Sequence, residues 1–179
     1  MSYDAQSDPR RMATFLAWVS TFALFAYPAI LMWQLLTRDL SQAYVEAFPA
    51  LTIAAPPEGW RLWSLLALDA IEIAVTLAIL WQVRCIFRAF AHSAEPTADV
   101  ARRLSKAGML LVLQMILAVL VRAGESVLLT LANAPGMRQL SISLGSTDLA
   151  LLIAAGLLIC TGRALAHGAA AMAENRGFI

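Results

Sequence analysis

Four long apolar runs govern what this chain can fold into. They cover residues 12–36, 62–83, 107–132 and 149–170. A bilayer core about 30 Å thick is crossed by about 20 helical residues. Backbone in lipid must pair its own N–H and C=O groups, which a helix does. Each run therefore reads as a transmembrane helix, and the fold class as all-α: an integral membrane bundle of four spans forming one domain over residues 1–179. In the fourth run Arg163 interrupts the apolar stretch, but a long basic side chain there can snorkel to the interface. Pro28 is expected to kink or loosen the first span.

The composition agrees. Hydrophobic residues make up 60% of the 179, and charged residues only 14%, against about 25% in soluble domains. Mean hydropathy is +0.71. A net charge of +1 carries no general pull toward nucleic acid, so no direct nucleic-acid partner is expected. The first apolar run is much longer than a signal-peptide core, and two acids, Asp4 and Asp8, precede it. It reads as an uncleaved span.

Lys and Arg placement predicts the orientation. Arg10, Arg11, Arg84, Arg88, Arg102, Arg103, Lys106, Arg163 and Arg176 fall on one side, nine in all; Arg38, Arg61 and Arg138 fall on the other. Nine against three predicts both termini and the middle loop in the cytoplasm. Trp33, Trp60 and Trp63 would form the outer aromatic belt, Trp18 and Trp81 the inner one. The outer loop from Thr37 to Trp60 carries Pro49, Pro56, Pro57 and Gly59, which punctuate the chain between spans. The second outer loop runs from Asn133 to Thr147. Thr147 is expected to cap the fourth helix, with Asp148 in its first turn against the helix dipole. Pro96-Thr97-Ala98-Asp99 reads likewise as the start of the third.

The residues that bear on chemistry are charges at membrane depth. Asp69 and Glu72 lie in the second run, Arg122 and Glu125 in the third. Such groups cost about 2.5–3.5 kcal/mol each on insertion scales. Counting about 1.5 Å per residue puts Asp69 about 10 Å and Arg122 about 8 Å below the outer face, with Glu72 near the midplane. An ion pair of Arg122 with these acids is the expectation, since it avoids burying lone charges. Thr76 and Gln114 match in depth lower down, which predicts one polar seam between spans two and three. Glu125, nearer the surface, is expected to meet Arg61 or water. Two readings of the seam stand open. It is glue between helices, or it is a site, because two acids against one base leave an excess charge that a proton or bound cation would remove.

Other features point less far. His92 and His167 both fall at the cytoplasmic border, not facing each other at membrane depth as a bis-histidine haem would need. Cys85 and Cys160 show no disulfide pattern and read as small apolar side chains. The basic middle loop (Arg84, Arg88, Arg102, Arg103, Lys106) sets topology and can also contact anionic lipid heads. Gly156, Cys160, Gly162, Ala166, Gly168 and Ala169 permit close helix approach, within the chain or in a homo-oligomer. No zinc spacing, phosphate loop or nucleophile elbow is present. No catalytic residue, metal or cofactor is expected, and the protein reads as a non-enzyme.

Two stretches, Phe87 through Gly108 and the ending from Ala169 to Ile179 (AAAMAENRGFI), together with the span layout, resemble a bacterial four-helix membrane family known as domain of unknown function 2975. In that family an aromatic, a Thr or Ser helix start, basic residues and a Gly lead into span three, and an acid-Asn tail ending in Ile closes the chain. The resemblance implies a bacterial inner-membrane location. Some members are encoded beside a small helix-turn-helix regulator, which implies a cytoplasmic protein partner by association. The expected function is that of a non-enzymatic interaction or regulatory membrane protein. The alternative is a small proton- or cation-coupled carrier working as an oligomer through Asp69, Glu72 and Arg122.

Overall fold

A computed structural model describes the backbone of residues 9–92 and 98–176, and side chains over 11–92 and 98–171. The expected helix start at Pro96-Thr97 and the Gly177–Ile179 ending lie outside the described residues, as do the side chains of Arg10 and Arg176. Five helices follow one another: α1 (Pro9–Thr37), α2 (Leu40–Ala47), α3 (Trp60–His92), α4 (Ala98–Thr130) and α5 (Ser146–Arg176). There is no strand among the described residues. Of the five, α1, α3, α4 and α5 are long and apolar enough to cross a membrane. The extensive packing runs in chain order, α1 on α3, α3 on α4 and α4 on α5.

The helices outrun the apolar runs because polar ends continue them beyond lipid. At 33 residues, α3 is about 50 Å long, well over the hydrocarbon thickness. α1 is continuous through Pro28. The hydroxyls of Ser20 and Thr21 donate to the carbonyls of Leu16 and Ala17, each at 2.7 Å, so neither is left unpaired in an apolar setting. Phe15, Trp18, Phe22 and Phe25 stand exposed on α1, as lipid-facing side chains do.

α4 and α5 approach at the backbone. A Cβ on Gly108 would sit 2.8 Å from the Ala155 carbonyl oxygen, and one on Gly162 would sit 2.8 Å from that of Ala101. Of the small residues named above, Gly162 makes this contact, whereas Gly156 and Gly168 face open space and Cys160 is exposed. At the end bearing the termini, Ile86 of α3 packs with Val100 and Ala107 of α4.

Two connections depart from plain loops. The stretch after α1 contains α2, started by Asp39, whose carboxylate accepts from the Ser41 and Gln42 amides. The connection from α4 to α5 folds back along α4 as extended chain. The Gln139 amide donates to Thr130 Oγ1 at 3.1 Å and the Ser141 amide to Ser126 Oγ at 2.9 Å. Arg122 reaches Ser143 Oγ at 3.5 Å. The register works because four helical residues rise about 6 Å and two extended residues about 6.6 Å. Leu140, Ile142 and Leu144, between the bonded positions, are exposed. α5 therefore starts beside Arg122, about 12 Å short of the far end of α4. Asn133 clips the two connections together. Its Oδ1 accepts from the Ala54 amide at 3.0 Å, and its Nδ2 donates to the carbonyls of Thr52 at 2.7 Å and Met137 at 3.1 Å.

Candidate functional site

The polar groups of α3 and α4 meet, but not in the expected pairing. Successive helical residues turn by about 100°. Gln114 and Glu125, eleven apart, thus share one line of α4 to within about 20°, and that line faces α3. Gln114 Nε2 donates to Glu72 Oε1 at 3.1 Å. The buried Glu125 carboxyl lies near Asp69. Thr76, expected beside Gln114, turns its hydroxyl to the Glu72 carbonyl at 3.1 Å.

Arg122 departs from the expected ion pair. It lies about 80° around α4 from Gln114, which aims it toward α5. There its guanidinium stands 3.8 Å from the Asp148 carboxylate. Asp148 is buried and also accepts from the Gly145 amide at 2.7 Å. The acid thus reaches back to the helix start, in the manner of a capping box with glycine at the cap. The expected cap at Thr147 gives way to this arrangement, because α5 already begins at Ser146. Arg122 carries no ion pair to Asp69 or Glu72 among the described residues, although it remains close enough to act on Glu72 and Glu125 through space.

Glu125 does not meet Arg61. That guanidinium folds back over the preceding prolines and donates to the Pro56 carbonyl at 3.1 Å, so Glu125 turns inward to Asp69. The third member of the cluster was not anticipated. Tyr44 of α2 donates its phenol proton to Asp69 Oδ2. Burial first, and then the Asp69 carboxyl, hold that phenol above the ordinary phenol range. The sequence carries a usable signal for α2: Leu40, Ala43, Tyr44 and Ala47 fall at i, i+3, i+4 and i+7 after an Asp cap.

Asp69 and Tyr44 lie on the wall of an open cavity of about 610 Å³ lined by α1, α2 and α3, with Leu31, Leu35, Leu40 and Trp63 among its apolar walls. The arrangement can hold an amphiphile whose charged or polar end meets the carboxyl and whose body lies against aliphatic and indole surface. Among the described residues no group of three or more His, Cys, Asp or Glu is placed to hold a metal ion.

The five basic residues read as a loop lie on helices, Arg84 and Arg88 on α3 and Arg102, Arg103 and Lys106 on α4, since both helices run past the membrane-length segment. Arg103 pairs with Asp99 at 2.7 Å along one face of α4. Arg102 and Lys106 are exposed.

Fold and site together define an all-helical protein with four helices long and apolar enough to cross a membrane, as a multi-pass membrane protein has, and a carboxyl cluster between α3 and α4. No family model, curated protein or solved structure matches the chain.

Proposed function

We propose that the protein is a small proton- or cation-coupled carrier whose working groups are Asp69, Glu125 and Tyr44. The observation that carries this is the placement of Asp69, which faces the cavity, accepts from Tyr44 and lies near the buried Glu125. Two neighbouring carboxyls do not both ionise readily, so in this reading the pair holds one proton. An organic cation with an apolar body, seated against Asp69, replaces that proton, so one charge enters as one leaves. Glu72, Arg122 and Asp148 surround the cluster and set its charge balance. Four spans are few for a translocation path, so the carrier works as an oligomer.

Nine Lys and Arg against three support a bacterial inner-membrane protein with both termini in the cytoplasm. A second reading, a non-enzymatic regulatory protein that meets a cytoplasmic partner, is favoured by the exposed Arg102 and Lys106 on the first turns of α4. The resemblance to domain of unknown function 2975 would make that partner a helix-turn-helix regulator.

The test is proton movement in vesicles carrying the purified protein and a trapped pH dye, with lipophilic amines offered outside. Amine-driven proton release that Asp69→Asn abolishes, and that Glu125→Gln shifts in pH, is expected. Wild-type vesicles that behave like empty ones sink the carrier. Mild crosslinking in cells that captures no cytoplasmic protein counts against the regulatory reading.

A further inference from the structure

At the opposite end of α3 from the carboxyl cluster lies a second cavity, of about 330 Å³, between α1 and α3. We propose that it binds the phosphate of an anionic membrane lipid. Arg84, Arg88 and His92 line one wall, and Thr14, Trp18 and Thr21 line the other. The three basic side chains recur every four residues, so they form a ladder on one face of α3.

Arg84 is held in place by two contacts. Its Nε donates to Thr21 Oγ1 at 2.9 Å, and its guanidinium carbon lies 5.1 Å from the Trp81 ring centre. These fix the plane of the guanidinium and leave its two terminal amino groups outside the Thr21 bond. A planar fork of that kind suits two phosphate oxygens at once. Among the described residues no carboxylate pairs with the ladder: the ion pairs there are Arg103 with Asp99 and Arg122 with Asp148. Two guanidinium groups facing one cleft favour an anion.

Position selects a lipid over a free anion. Arg84 follows Trp63 by 21 residues, about 32 Å along the helix, which matches the hydrocarbon thickness and sets the guanidinium at headgroup level. Trp18 and Trp81 lie at the same end, where amphipathic rings collect. Trp18 and Phe22 are exposed on α1 beside the cleft, a surface along which acyl chains can lie while the phosphate sits between the helices. This site does not rest on the carrier reading, because none of its residues belongs to the carboxyl cluster.

The experiment is native mass spectrometry of the full chain released from nanodiscs of phosphatidylcholine alone or mixed with phosphatidylglycerol, with and without inorganic phosphate. One phosphatidylglycerol retained per chain, in preference to phosphatidylcholine, is expected. Arg88→Gln, an exposed position outside the Arg84–Thr21 bond, should weaken retention about tenfold or more. Arg84→Gln should do the same while loosening α1 from α3. The pair Arg102→Gln/Lys106→Gln removes more charge outside the cleft and should leave retention unchanged. Equal retention of the two lipids overturns the site, as does wild-type retention in Arg88→Gln. Equal loss in the Arg102/Lys106 pair would show diffuse surface charge instead. Displacement of lipid by millimolar inorganic phosphate would assign the cleft to free anions.

Discussion

Arg122 of α4 pairs with Asp148 of α5 at 3.8 Å and so ties the first turn of α5 to its neighbour about two turns short of that helix's end. The pair exists because residues 139–143 fold back along α4 and deliver the start of α5 to the level of Arg122. Double-mutant analysis should find Arg122→Gln and Asp148→Asn coupled by about 0.5–1 kcal/mol, the size of polar pairs between membrane helices. Arg122→Gln with Glu72→Gln should show much weaker coupling. Unfolding of wild type, the three single variants and the two double variants in detergent reads both cycles, and the reverse order would place the working partner of Arg122 on α3.

Asn133 should behave as a clip. It is buried and bonds to three backbone groups across two connections. At about 1 kcal/mol net per bond, Asn133→Ala should cost about 2–3 kcal/mol and speed proteolysis within 48–59 and 131–145. Unchanged cleavage rates would mean the two connections hold each other without it.

Gly162 and Gly156 lie on the same helix and should respond in opposite directions. Gly162→Ala forces a methyl against the Ala101 carbonyl and the Ser105 amide, which should destabilise by about 1–3 kcal/mol as other overpacked contacts do. Gly156→Ala meets nothing within 4 Å and should gain up to about 1 kcal/mol of helix propensity. Thermal melting of the two single variants separates them.

Tyr44 should stay un-ionised where an ordinary phenol titrates. Its folded value is raised by burial and by Asp69, so its contribution is fully present below pH 10 and is lost as pH rises beyond that. Spectrophotometric titration of wild type and Tyr44→Phe should give the same tyrosinate absorbance up to about pH 11. A step near pH 10 that disappears in the variant would show that the phenol is not held by Asp69.

The Asp39 cap has the opposite sign. The Ser41 hydroxyl first, and then the Gln42 amide, hold this exposed carboxylate below its ordinary range. Its support for α2 is therefore present above the ordinary carboxylate range and fades as pH falls through the lowered value. Amide exchange over Leu40–Ala47 should quicken in acid in wild type, and at every pH in Asp39→Ala.

The sequence by itself determined the four long helices, because 20-residue apolar runs leave a chain in lipid no other way to pair its backbone. It also put Asp69 and Glu72 on one span and Gln114 and Glu125 on the next, while its depth count matched Gln114 with Thr76 and left Glu125 to Arg61 or water. Tertiary structure decided who meets whom. A difference of about 80° around α4 separates Gln114, which bonds Glu72, from Arg122, which faces α5, and depth counted along a helix cannot register that rotation. The partner of Arg122 depended on where α5 begins, which the extended return of residues 139–143 sets through hydroxyls of α4. Tyr44 reached Asp69 only because an eight-residue helix, too short to stand alone, is docked over the space between α1 and α3.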